Sequence, residues 1–467
     1  MAPHSRLIPL IIASALFMEN MDSTVIATSL PAIARDLGTD PIVLKLAFTT
    51  YLLSLTVFIP VSGWCADRFG ARMVFRLAIA VFTLGSIACG AAHSLAGLVA
   101  ARALQGLGGA MMVPVGRIIL LRAVPKSELV DALAWLTVPA LLGPLVGPPI
   151  GGYITTYFHW RWIFWMNVPF GLIAIALATW LMPHTADVEA PPLDVRGFFL
   201  SGIGLSAMVF GFTNVGRELL PVWMPIGLMA LGALMSLAYV THARQSPSPI
   251  LDLSLLRHDT FRTSVLGGSL FRIGVGAIPF LLPLMLQLGF GYSPFQSGLL
   301  TCSAALGSIT MKFGAARLIR RFGFRSLLVV SGLLSCISIA LNGFVTVRTP
   351  YAALLPLLLA GGFLRSLQFT ALNAMAYSDI DHAGMSRATA LFAVAQQFSL
   401  AMGVALAAVV IELAQWARGD TTVVAEDFSI AFWVVAAVAA LSVITFSRLR
   451  ADAGAEVSGR RGTLTNS

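Results

Sequence analysis

The chain is a succession of apolar stretches of roughly twenty residues, each about as long as a helix must be to cross the hydrocarbon core of a bilayer, joined by short polar or charged segments. Fourteen are read, at 7–29, 42–64, 73–93, 96–121, 131–155, 163–183, 197–215, 222–242, 263–288, 295–316, 326–346, 352–377, 388–413 and 428–447. Inside hydrocarbon no water bonds the backbone, so only helices and closed barrels can span. Barrel strands would show ten-residue segments of alternating polarity, and none is seen. Charged residues make up 11% of the chain and hydrophobic residues 57%, against about 25% charged in a soluble domain. The expected fold is an all-α polytopic membrane protein with fourteen transmembrane helices. The first stretch follows only Arg6 and exceeds a signal peptide's apolar region, so it reads as a retained helix.

An even number of crossings places both termini on one side. With that side cytoplasmic, the inward joints together with Arg76 at the start of the third span hold nineteen of the 30 Lys and Arg residues, and the outward joints together with Lys45 at the start of the second hold six. The other five, Arg102, Arg117, Arg272, Lys312 and Arg365, fall inside spans. Basic residues gather in cytoplasmic loops, so both termini are expected inside and the membrane is expected to be the cell inner membrane. This placement accounts for the net charge of +9 without a nucleic-acid partner. Cys65, Cys89, Cys302 and Cys336 lie in or beside apolar stretches without CxxC or metal-ligand spacing, and read as packing residues.

Two echoes mark an internal repeat. Asp67-Arg68-Phe69-Gly70-Ala71-Arg72 follows the second span and Arg320-Arg321-Phe322-Gly323-Phe324-Arg325 the tenth. Arg102 and Gln105 in the fourth span are matched by Arg365 and Gln368 in the twelfth. The offsets, 253 and 263 residues, are similar. Two parallel bundles of six helices with two extra helices between them explain this spacing. The division expected is 1–183 and 263–447 for the bundles, 184–262 for the extra helices with their linkers, and 448–467 for a disordered cytoplasmic tail. Repeats of this kind place a substrate site between the halves near mid-membrane.

The joint Gly63-Trp64-Cys65-Ala66-Asp67-Arg68-Phe69-Gly70-Ala71-Arg72 combines one acid with arginines and two glycines. The glycines allow close packing and a sharp turn, and the charges suit a latch made and broken during a cycle; a plain basic joint is the simpler reading. In the fifth span Gly143, Gly147 and Gly151 recur every fourth residue beside Gly152, Pro144, Pro148 and Pro149. Such a face admits close helix contact, and the prolines kink and stiffen it. Packing is one role for it and a hinge or seal another.

These segments resemble the motifs of the major facilitator superfamily. The joint at 63–72 is similar to its motif A, the glycine face of the fifth span to its motif C, and Arg102 with Gln105 and Gly106 to its motif B. Met21-Asp22-Ser23-Thr24, Trp160 to Gly171 and Leu193 to Gly197 are similar to segments of the fourteen-helix drug:proton antiporter family. The likeness runs along nearly the whole chain. It implies the major facilitator fold and transport by alternating access, with no catalytic role.

Ionisable residues inside spans are costly and mark function. Glu19 and Asp22 are three residues apart on one face of the first span. Asp22 and Arg102 lie at similar depths and can pair, and protonation of Asp22 would break that pair. Glu19 stands open between binding a cationic substrate, sharing the proton, and no role. Arg272 and Arg365 sit well inside their spans and require an anion or a wet cavity. Gln368, Asn373, Gln396 and Gln397 are further candidates for lining a substrate cavity, with bonding between helices as the plainer role. No GxxxxGK[ST] loop and no catalytic cluster is present.

The function expected is antiport of protons against small amphipathic, cationic drugs, with protons as coupling ion and no other cofactor. The partners expected are the substrate, protons and the bilayer, for a monomer. An exporter of a sugar, amino acid or organic acid on the same fold is the alternative, and a non-transporting sensor or scaffold a third reading.

Overall fold

A computed structural model of the protein describes residues 3–123, 129–182, 192–215, 221, 223–380, 384–419, 422–450 and 453. Among them the regular elements are all helical, as backbone in hydrocarbon requires. In order they are α1 (Pro3–Asp36), α2 (Lys45–Phe69), α3 (Ala71–Gly90), α4 (Leu95–Ala123), α5 (Leu129–Tyr157), a single turn α6 (Trp162–Trp165), α7 (Asn167–Leu181), α8 (Val195–Thr213) and α9 (Trp223–Gln245). A 3-10 turn (Leu253–Arg257) precedes α10 (Asp259–Leu284), which runs into a π turn (Met285–Gly289). Then follow α11 (Pro294–Lys312), the short α12 (Ala315–Phe322), α13 (Phe324–Asn342), α14 (Tyr351–Ala376), α15 (Met385–Arg418) and α16 (Ala425–Ser447). The tail expected from residue 448 lies, apart from 448–450 and 453, outside the described residues.

Twelve helices among the described residues are long and apolar enough to cross a membrane, two short of the fourteen expected. The other two expected spans coincide with α5 and α11. On α5 the side chains up to 141 lie outside the described residues. On α11 the polar residues Gln296, Ser297, Thr301, Ser303, Ser308, Thr310 and Lys312 dilute the apolar character.

The chain divides into two compact units: Met1–Ser206 with Tyr292–Leu299, and Ala207–Gly291 with Leu300–Ser467. Inside the first, α1 packs on α5 and α7, and α3 packs on α4 and α7. Inside the second, α10 packs on α15 and α16, and α13 packs on α14 and α16. The second list repeats the first, helix for helix. The repeated Phe-Gly pair has the same backbone in both units, with φ +82° at Gly70 and +73° at Gly323. Only glycine adopts that conformation readily, and in each unit it reverses the chain between two helices at once.

Gly108 shows how tight the pairing of α3 and α4 is. A Cβ there would overlap the Phe82 amide nitrogen and lie 2.6 Å from the Ala78 carbonyl oxygen. Backbone cannot move aside as a side chain can, and overpacking costs about 1–3 kcal/mol or more. Gly108→Val is expected to lower thermal stability by at least about 3 kcal/mol, whereas Gly63→Ala, whose Cβ would meet nothing within 4 Å, should be neutral. Equal melting temperatures for the two variants would contradict the packing described.

Candidate functional site

In the first unit four helices contribute to one network built around a carboxylate. Asp22 on α1 is 3% exposed and Arg102 on α4 is 1% exposed. Arg102 Nη1 donates to Asp22 Oδ2 at 2.6 Å, the pairing their depths lead one to expect. Asp22 Oδ1 accepts from Gln105 Nε2 at 2.9 Å and from Asn167 Nδ2, on α7, at 2.8 Å. The same two amides also donate to Ser86 Oγ on α3, at 2.7 and 3.1 Å. Arg102 Nη1 further donates to Gln105 Oε1 at 2.5 Å, and its guanidinium lies 4.2 Å from the centre of the Tyr51 ring. A buried ion pair is costly unless its remaining lone pairs and protons are bonded; here neutral amides bond the carboxylate and Arg102 Nη1, while Arg102 Nε and Asn167 Oδ1 stay without a partner.

Glu19, one turn before Asp22 on α1, stands apart from this network. It is buried, its Oε2 has no hydrogen-bond partner, and no described residue donates to the other oxygen. The Tyr51 hydroxyl is likewise buried without a partner. Both reach the same spot: a Cβ on Gly109 would be 3.1 Å from the Tyr51 hydroxyl and 3.7 Å from Glu19 Oε1. A buried acid with no partner calls for a proton or a cation.

The candidates of the second unit do not gather in one place. Arg272 is fully buried, with Nε and Nη2 unpartnered. Its guanidinium lies 4.5 Å from the centre of the Phe392 ring, and Nη1 makes one long bond of 3.4 Å to the Ser264 carbonyl. Aromatic faces therefore take the place of the anion expected beside it. Gln368 is fully buried and accepts from Ser331 Oγ at 2.5 Å, so it joins α14 to α13 and does not line open space. Asn373 is exposed and bonds its own helix, donating to the Phe369 carbonyl at 2.8 Å. Gln396 and Gln397 on α15, and Arg365 on α14, are half-buried.

At the joint of α2 and α3, Asp67 is half-buried, Arg68 exposed and Gly70 buried. Arg72 donates to the Thr179 carbonyl on α7. Gly63, expected at a close contact, faces open space instead, because nothing lies within 4 Å of its Cβ position. On α5 the expected glycine face packs against α1. A Cβ on Gly143 would lie 2.9 Å from Asn20 Cβ, one on Gly147 would overlap the Thr24 hydroxyl, and one on Gly151 would lie 2.6 Å from the Val25 carbonyl. Pro148 and Gly152 face the first turns of α11, where a Cβ on Gly152 would be 2.8 Å from Phe295 Cα.

Three parts of the first unit escape sequence reasoning. Asn167 and Ser86 complete the Asp22 network. Asn167 carries a visible signal, a carboxamide opening an otherwise apolar helix, whereas Ser86 resembles any small helix-packing residue. The third is Asp36, at the end of α1. It accepts from Arg161 Nη1 at 2.6 Å and from Trp160 Nε1 at 3.0 Å, while Arg161 Nη2 donates to the Ala92 carbonyl at 2.9 Å. Arg161 thus ties the ends of α1 and α3 together.

The sequence profile of the Major Facilitator Superfamily matches residues 12–242 and 264–464. The putative multidrug resistance protein MdtD of Salmonella paratyphi A is 35% identical over 446 residues, which cover 95% of this chain and 94% of that protein. MdtD of Salmonella typhimurium matches at the same 35% identity and coverage. Among solved structures, the POT family transporter PepTSo is similar with a TM-score of 0.70 at 15% identity, over 98% of this chain and 99% of that one. A D-xylose-proton symporter gives a TM-score of 0.70 at 14% identity, over 96% and 98%. At such identities the likeness concerns the fold.

Proposed function

The chain belongs to the major facilitator superfamily, a family of transporters, and from that premise we propose that it is a proton-driven exporter of small amphipathic cations. The observation that carries this reading is the buried network around Asp22. Its carboxylate is the single acceptor on which Arg102, Gln105 and Asn167 converge. Protonating it removes the charge that Arg102 faces. In a site of low dielectric, an arginine left without its counter-charge is strongly disfavoured, so proton uptake drives the four helices toward another arrangement. Proton release restores the pair. The proton is the only coupling species required.

Glu19 is the part of this site suited to a cationic substrate, being a buried acid with no partner one turn away on the same helix. A monocation seated there satisfies it, one turn from the carboxylate that takes up the coupling proton. The joint at Asp67, Arg68 and Arg72 and the glycine face of α5 serve in this reading as the moving contacts. Both termini are placed in the cytoplasm, with the chain in the inner membrane. MdtD, by its name linked to multidrug resistance, is consistent with this substrate class.

The test is efflux of a cationic dye from proteoliposomes under an imposed pH gradient. Wild type should move dye against its concentration gradient and acidify the dye-loaded compartment as it does so. Glu19→Gln should keep coupling but lower apparent affinity for a monocationic dye about tenfold, the effect of losing roughly 1.4 kcal/mol of attraction. Absence of flux for every dye tested would favour export of a defined metabolite, and unchanged dye affinity in Glu19→Gln would remove Glu19 from the substrate site.

A further inference from the structure

The two units use one device with one part exchanged. In the first, Gln105 on α4 bonds Ser86 on α3, and the arginine three residues earlier, Arg102, meets Asp22. In the second, Gln368 on α14 bonds Ser331 on α13, and the arginine three residues earlier is Arg365. Neither α13 nor α14 contains an acid, and α10, the counterpart of α1, has only Asp259 at its first residue. Among the described residues nothing accepts a hydrogen bond from Arg365 or pairs with it. By helical rise it sits about 21 Å from the start of α14 and about 17 Å from its end, deep within the span.

Around it the donors are in place. Ser331, Ser335 and Ser338, spaced four and three residues apart, share one face of α13. The Gln368–Ser331 bond sets the register at one end of this face. Gly361 sets it at the other: a Cβ there would lie 2.6 Å from Ser338 Oγ and 3.2 Å from Arg365 Nη1. Arg365 lies one turn from each marker, so its level between the helices is that of Ser335. The hydroxyls of Ser335 and Ser338 and the Gln368 amide nitrogen are all buried without a hydrogen-bond partner. Their residues are 0%, 5% and 0% exposed. Buried polar groups are nearly always satisfied, and these three can all donate. The side chain that Gly361 lacks lets Ser338 and Arg365 approach one another against the backbone of α14.

We propose that α13 and α14 form a binding site for a small monovalent anionic group, with Arg365 supplying the charge and Ser335 and Ser338 the donors. The anion takes the place that the Asp22 carboxylate holds in the first unit. Its source is a free anion or the carboxylate head of an amphiphile entering from the half-exposed side of Arg365. The site stands independently of the direction of transport and of proton coupling.

The purified full chain in detergent is melted in sodium gluconate, a bulky hydrophilic anion, with increasing replacement by sodium chloride, sodium acetate or sodium octanoate at constant ionic strength. A saturable rise in melting temperature of about 2 °C or more is expected for wild type, as for any ligand that binds the folded state. Response to chloride and acetate assigns a free anion; response to octanoate alone assigns an amphiphile's head group. Arg365→Gln should abolish the rise, and Ser338→Ala should move its midpoint about tenfold higher. No saturable response in wild type, or an unchanged midpoint in both variants, overturns the proposal. If Arg365→Gln does not fold, Ser338→Ala decides the matter alone.

Discussion

Proteoliposomes carrying Asp22→Asn are expected to lose pH-gradient-driven efflux entirely, down to the leak of protein-free vesicles, while still equilibrating dye down its own gradient. Asparagine has nearly the shape of aspartate, and its oxygen can accept from Arg102 as Asp22 Oδ2 does at 2.6 Å. It cannot titrate. The variant removes the charge with little change of shape, and its NH2 group, standing where Oδ1 stood, requires Gln105 and Asn167 to turn their carboxamide oxygens toward it. Removing the charge permanently mimics the protonated state, so the network around Arg102, Gln105 and Asn167 should no longer respond to the pH gradient. Asp22→Glu, which keeps a titratable group but displaces it, should retain weak coupling. The measurement is dye accumulation against its gradient, with proton flux followed in parallel. Gradient-driven accumulation surviving in Asp22→Asn would move the proton site elsewhere, with Glu19 the next residue to test.

Arg102→Ala should be among the most destabilising single changes in the first unit, at about 3–5 kcal/mol, because it leaves a buried carboxylate without its counter-charge. Asp22 would retain bonds from Gln105 and Asn167, and Tyr51 would lose the guanidinium over its ring. Removing both charges together tells a different story. A buried pair replaced by apolar residues of similar volume is often neutral or stabilising, so Asp22→Leu with Arg102→Met should recover most of the loss while remaining uncoupled. Thermal denaturation in detergent reads stability, and the proteoliposome assay reads coupling. A double variant as unstable as Arg102→Ala would mean that the network is held mainly by hydrogen-bond geometry and not by charge.

The repeat illustrates how far sequence alone can reach. The two Phe-Gly joints share a short string, and they turn out to share a backbone conformation as well, since a positive φ is a property of the glycine itself. The Arg and Gln pairs share a spacing of three, and each glutamine meets a serine on the neighbouring helix. Yet the two arginines live differently: Arg102 is enclosed by an acid and an aromatic ring, whereas Arg365 has neither. A matching string says which helix face a residue occupies. The partner across that face comes from another helix, far away in the chain, and the string does not contain it.

Gly63 and Gly151 make the same point from the side of packing. Both stand in glycine-bearing segments that read as sites of close contact. Gly151 meets the Val25 carbonyl and Gly63 meets open space. Small residues permit an approach without compelling one, because the energy lies in the atoms that arrive. Arg272 differs from expectation for a related reason: it called for an anion, and the helices around it delivered Phe392 and Phe369.

The apolar stretches alone determined that this chain is helical and crosses a membrane many times, because unbonded backbone is intolerable in hydrocarbon and the length of a crossing is set by the bilayer. Composition and the repeated strings were enough to read a duplicated architecture and to single out Asp22 and Arg102 as charges that had to be accounted for. Only the tertiary structure decided that Asn167 and Ser86 complete that pair, that Glu19 is left without a partner, and that Arg365 faces donors and no acid. Those outcomes depend on which side chains meet at distances below 3 Å or so, and such meetings are set by the packing of helices remote from one another in sequence.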